Sequence, residues 1–146
     1  MSCRPFVLRA PEPNPKRSGT LRTAFGVTMT NFDVQQGAGP HVLGHLYNKL
    51  VTKNLADGLR TIAPDLATSW EIASDGTGYT FKLREGVQYH DGTPFSADDV
   101  VANFDRIIDP PMGISSRSKD LLPMIDSVEK IDQYTVEFNL NAPTPY

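Results

Sequence analysis

The sequence predicts a mixed α/β (α+β) fold in which two antiparallel β-ribbons pack against the helix of residues 96–108. Three stretches carry that expectation: alternating segments between Leu66 and Leu83, a capped amphipathic run after Phe95, and a second alternating stretch ending at Leu140. In the first, Trp70 and Ile72 alternate with polar residues, Ser74 to Gly78 supply turn chemistry, and Tyr79, Phe81 and Leu83 alternate again. That pattern reads as strand, turn and strand. Asp91-Gly92 makes a further tight turn, since Gly accepts positive φ and Asp bonds its own backbone. Ser96 follows as a helix N-cap. With Asp99 it forms an S-x-x-D capping box, and Phe95 and Val100 are spaced as a hydrophobic staple. Val100, Val101, Phe104, Ile107 and Ile108 share one helical face, and Pro110-Pro111 stops the helix. The apolar stripe is expected to pack on the first hairpin.

The remaining elements follow in chain order. Residues 1–18 hold Pro5, Pro11, Pro13 and Pro15 among basic residues, and because Pro removes backbone donors this tail is expected to be extended and poorly ordered. Residues 19–146 are expected to form one folded portion. Gly19 to Gly26 alternates and reads as a first strand. The loop Thr28 to Pro40 carries Thr30, Asn31, Gln35 and Gln36 with Gly37 and Gly39, a composition able to present hydrogen-bonding groups to a ligand. Val42, Leu43, Leu46, Tyr47 and Leu50 recur at helical spacing, predicting a helix that ends near Val51. Leu55 to Arg60 reads as the turn of a small ribbon leading to Pro64, pivoting on Asp57-Gly58. After a polar loop over Gly113 to Lys119, the strand around Val128 to Ile131 turns at Asp132-Gln133. Tyr134, Val136, Phe138 and Leu140 then point one way on the last strand.

Composition narrows the function classes. The chain has 146 residues, 39% hydrophobic and 21% charged, enough for one domain with a core. A net charge of -3 with scattered Lys and Arg argues against a nucleic-acid surface. The single cysteine, Cys3, excludes an internal disulfide framework. No run approaches the roughly 18 apolar residues of a membrane span.

Candidate chemical groups are few. His90-Asp91 with Asp98 and Asp99 resembles an acid–base pair of a small hydrolase, but the same residues serve as a turn and as carboxylates facing a helix N-terminus, and no nucleophile motif accompanies them. His41 and His45 stand at metal-ligand spacing, which makes a zinc or nickel site an alternative, yet no Cys or Glu completes a donor set. The glycine pairs 37/39 and 76/78 lack the G-x-G-x-x-G context of a nucleotide site, so no cofactor is expected. Arg117 is placed in a polar loop where it is able to grip a carboxylate with both arms of its fork, or simply to be solvated.

The run LATSWE, the DG turn, YTFKLREGV, HDGTPFSADDV and the closing DP of residues 66–110 together resemble the bacterial extracellular solute-binding proteins, family 5, which serve peptide, dipeptide and nickel importers. The resemblance extends to LYNKLV at 46–51, IAPD at 62–65, SVE at 127–129 and YTVEFNL at 134–140, and so spans residues 20–146 in order. It implies the N-terminal part of a two-lobed periplasmic-binding-protein-like fold, acting as a substrate-binding component that captures an oligopeptide, dipeptide or similar solute. It further implies delivery to ABC permease subunits from a periplasmic or extracytoplasmic location, without catalysis. Three departures accompany it, one being that Asn48-Lys49 lacks the Gly often found there. Phe32-Asp33-Val34 stands where the family writes a hydrophobic-Asp-Pro turn, and residues 1–18 show no secretion signal, which implies a leader upstream of an incorrect start or a short foreign or degraded tail. Family members run several times longer, so a truncated fragment, functional or not, is the accompanying expectation. Within the chain, Phe32 for packing, Gln36 and His41 as polar contacts and Arg117 as an anchor for an anionic group are the candidate ligand-binding residues.

Overall fold

Alternating Trp70, Ile72, Tyr79 and Phe81 fold as the sequence dictates, into the first hairpin of a four-stranded antiparallel sheet. The computed structural model describes residues 18–20, 32–36, 46–54, 57–114 and 123–143 and the single positions 14, 22, 44 and 116. Most of the Pro-rich tail and of the predicted first strand lies outside the described residues. The elements are β1 (Val51–Lys53), β2 (Ile62–Pro64), β3 (Ala67–Ile72), β4 (Gly78–Leu83), α1 (Ala97–Ile108), β5 (Ile125–Asp132) and β6 (Thr135–Leu140). β1 and β2 form their own small ribbon, with Val51 opposite Pro64 and Lys53 opposite Ile62. Its turn is closed by Asp57, which accepts the Arg60 and Thr61 amides at 2.9 and 3.0 Å.

The two larger hairpins are not separate ribbons. β4 pairs with β6 from Gly78–Asn139 to Lys82–Thr135, giving the strand order β3-β4-β6-β5. Local alternation specifies each hairpin but carries no information about a partner more than fifty residues away. Helix α1 also sits differently from expectation. It packs chiefly on the second hairpin, β5 and β6, rather than on the first. Its start explains why: the Ala97 N–H donates to the Gln133 carbonyl at 2.9 Å, and Lys130 Nζ reaches Asp98 at 2.7 Å. Both contacts fix the helix over the β5–β6 turn.

The core lies between α1 and the sheet and consists of Leu83, Phe95, Ala97, Val100, Val128, Val136 and Phe138. The Phe138 ring meets Phe104 edge-on at 4.7 Å and Phe81 at 5.3 Å, arrangements that aromatic quadrupoles favour. The helix start is closed by the Asp99 carboxylate, which accepts the Ser96 N–H at 2.8 Å and the Ser96 hydroxyl at 3.1 Å.

Two sequence expectations need correction. Residues 47–49 have no regular structure and Val51 opens β1, so the predicted helix does not reach Val51. Here Asn48 Nδ2 and the Lys49 N–H bond the Asp65 carboxylate at 2.8 and 2.9 Å, and the Leu66 and Ala67 amides donate to the Lys49 and Leu50 carbonyls, so partners across the chain replace the helical ladder. The final turn is Gln133-Tyr134, one residue later than expected. Asp132 stays paired with Thr135 because its carboxylate accepts the Tyr134 N–H and the Thr135 hydroxyl, both at 2.8 Å. Among the described residues no helix is long and apolar enough to cross a membrane.

Candidate ligand-facing loop

Residues 32–36 form a short loop whose backbone closes on itself around Asp33. Its Val34–Gln36 portion is a single 3₁₀ turn. The Gln36 N–H donates to the Asp33 carbonyl at 3.2 Å, the Gln35 N–H to Asp33 Oδ1 at 2.9 Å, and Gln36 Nε2 to Asp33 Oδ2 at 2.7 Å. An Asp that bonds its own following backbone makes this turn without a proline.

Helix α1 supplies the other half of the arrangement. Asn103 and Arg106, three residues apart and therefore neighbours on the helix surface, both face the loop. Arg106 grips the Asp33 carboxylate with its fork, at 2.6 Å from Nη2 to Oδ2 and 3.3 Å from Nη1 to Oδ1, and Nη1 also donates to Gln35 Oε1. Gln35 completes the junction through Nε2, which donates to Asn103 Oδ1 at 3.0 Å. The guanidinium bonds, with those of Gln36, bring the Asp33 carboxyl from 3.8 down to about 2, and the same carboxylate raises Arg106. On the opposite side, the Tyr47 hydroxyl donates to the Phe32 carbonyl at 3.3 Å.

Of the candidate contacts, Phe32 and Gln36 are brought together on this loop, and both are exposed. His41 and Arg117 lie outside the described residues, as does His45. The Gln36 amide nitrogen is already committed to Asp33. Sequence reasoning missed Asp33, Gln35, Asn103 and Arg106 as a unit. Asp33 and Arg106 stand 73 residues apart, and no local pattern joins them. Gln35 and Gln36 look alike in the sequence, and only the fold tells them apart by burying Gln35.

The His90-Asp91 pair does turn work. Asp91 accepts the Thr93 N–H at 3.0 Å and the Thr93 hydroxyl at 2.7 Å, and Gly92 sits at φ 88°. Asp75-Gly76-Thr77 repeats the device, with 3.0 and 2.8 Å bonds and φ 73° at Gly76. Hydrogen bonds from Thr93 hold the Asp91 carboxyl below its ordinary range, the wrong direction for a proton carrier near neutrality. The surrounding depression of about 420 Å³ is open and lined by Tyr89, His90, Asp91 and Thr93, none of them a primed nucleophile. Among the described residues no group of three or more His, Cys, Asp or Glu is placed to hold a metal ion.

Comparison with known proteins gives the arrangement a context. Residues 61–146, from the start of β2 onward, match the family described as bacterial extracellular solute-binding proteins, family 5, middle portion. Over 113 residues the chain is 38% identical to the di/tripeptide-binding protein 2 of Pseudomonas aeruginosa (strain UCBPP-PA14), covering 67% of this chain and 21% of that protein. Over 111 residues it is 41% identical to the heme-binding protein A of Haemophilus influenzae, covering 66% and 20%. The structure of NikA from Brucella suis in complex with Fe(III)-EDTA superposes with a TM-score of 0.70 at 32% identity, covering 82% of this chain and 24% of that one. The chain therefore spans about a fifth of the length of the curated relatives it matches. Its fold is that of part of a periplasmic binding protein. The shared profile, the four-stranded sheet and the helix laid on it place this chain in the bacterial extracellular solute-binding proteins, family 5.

Proposed function

We propose that this chain supplies part of the solute receptor of an ABC importer, binding a peptide or similar small solute outside the cytoplasm and presenting it to permease subunits in the membrane. The observation that carries this reading is the family match across residues 61–146, which takes in β2 to β6 and α1. The role is capture, not catalysis. Residues 19–146 act as part of one lobe, and residues 1–18 as a Pro-rich tail. Relatives named for di/tripeptides and for heme share this portion, which favours a scaffold common to several solutes, with discrimination residing largely elsewhere in such proteins. Phe32, Gln36, His41 and Arg117 are the contacts this portion offers, Arg117 through a carboxylate of the solute.

Calorimetry with di- and tripeptides tests the reading on two proteins: the 146-residue chain, and the Pseudomonas aeruginosa di/tripeptide-binding protein 2 with its aligned segment replaced by this one. The chimera is expected to bind and the chain alone to bind far more weakly, since an incomplete cleft leaves polar contacts open to water. A correctly folded chimera that binds no peptide overturns the reading, and micromolar binding by the chain alone overturns the shared-cleft argument. Arg117→Ala in the chimera is expected to weaken binding about tenfold. Unchanged affinity removes that residue from the site.

A further inference from the structure

The loop of residues 32–36 inverts the usual partition of side chains. Its polar Gln35 is buried, at 7% exposure, while its large apolar side chains stand in solvent, Phe32 at 65% and Val34 at 50%. A loop that docks by hydrophobic contact turns such side chains inward. This one is held instead by directional polar bonds: the Arg106 fork on Asp33, the Gln35–Asn103 bond and the Tyr47 hydroxyl on the Phe32 carbonyl. The loop backbone is therefore fixed without using its apolar surface.

We infer that Arg106 is the positioning residue of a solute contact: through Asp33 and Gln35 it fixes residues 32–36 so that Phe32 and Val34 meet an apolar side chain of a peptide-like solute. The inference rests on the receptor reading above for the class of solute, and on the junction itself for the rest. Ordering a loop at the moment of binding consumes affinity, and a loop ordered beforehand avoids that loss. Arg suits the task because its planar fork matches a carboxylate in two bonds, which sets orientation as well as distance. Gln36 adds an exposed polar side chain at the loop's end, its amide nitrogen held by Asp33.

Two measurements test it. In the 146-residue chain, hydrogen exchange is read at the Gln35 and Gln36 amides, which both donate to Asp33. Arg106→Gln is expected to speed their exchange about tenfold while amides of β4 and β6 hold, as local opening allows. Arg106→Lys, which keeps the charge without the fork, is expected to fall between. Exchange in Arg106→Gln equal to the parent overturns the junction. In the chimera, Arg106→Gln is expected to weaken alanyl-phenylalanine about tenfold and glycyl-glycine much less, because only the first offers an apolar side chain to Phe32 and Val34. Equal losses for both dipeptides indicate general destabilisation and overturn the positioning role. A parent chimera that binds neither dipeptide removes the receptor reading and the solute contact with it, while the exchange measurement, which needs no solute, still decides the junction.

Discussion

Phe138 and Phe32 are rings of the same size in one chain, yet the first is 6% exposed and the second 65%. Phe138 lies between Phe81 and Phe104 in a core assembled from β4, β6 and α1. Phe32 touches the rest of the fold through its backbone carbonyl, which accepts the Tyr47 hydroxyl. The sheet-and-helix region is thus held by burial, where free energy follows apolar area, and the loop by geometry, where each bond has a direction and little area is at stake. A region of the first kind resists single changes at its surface and fails when its interior is hollowed. A region of the second kind can be released by one substitution without disturbing the core.

The sharpest way to break that contrast is to delete both rings separately. Phe138→Ala is expected to cost about 4 kcal/mol in urea denaturation, because it removes a buried aromatic and leaves a cavity. Phe104→Ala, on the half-buried flank of the same cluster, is expected to cost about 3 kcal/mol. Phe32→Ala is expected to lie within about 0.5 kcal/mol of the parent, as surface changes do. A loss at Phe32 matching that at Phe138 abolishes the distinction between the regions.

A smaller effect is expected at the helix start. Ser96→Ala should lower stability by about 1 kcal/mol, since it removes the hydroxyl that completes the box with Asp99. Asp99→Ala is expected to cost more, because it loses the bond from the Ser96 backbone as well. Parent-like stability in both variants rejects the capping assignment.

How much of the molecule was legible follows the same division. The hairpin turns, the capped start of α1 and the inward set Val136 and Phe138 are local, and period, Gly and Asp positions specify them within a few residues. The β4–β6 pairing and the seating of α1 on the second hairpin depend on partners distant in sequence, and periodicity says nothing about those. That Phe32 and Gln36 sit together on one polar loop was readable from its composition. Its anchor was not, because Arg106 on a helix surface looks like any solvated cation until Asp33 is placed beside it.

Acid separates the two regions most finely. A carboxyl whose native value is depressed favours the folded arrangement when ionised, so its contribution is complete above the ordinary 3.8 and is lost as pH falls through the native value. For Asp33 that native value is about 2, and the window of release runs from 3.8 down to there. Asp75, Asp91 and Asp132 are lowered too, chiefly by backbone amides of Thr77, Thr93 and Tyr134, so the hairpin turns weaken in the same direction. The consequence differs because β4 and β6 keep their buried side chains when the turns loosen, whereas residues 32–36 are held by the polar junction. Hydrogen exchange followed from neutral pH toward pH 2, after correction for intrinsic rates, is expected to show the Gln35 and Gln36 amides opening before those of β4 and β6. Asp33→Asn is expected to bring that opening to neutral pH while shifting the global unfolding midpoint less than any substitution above. Simultaneous opening of loop and sheet means that the two regions share one cooperative unit, and the junction of Asp33 with Arg106 is then part of the core's stability instead of a separable clasp.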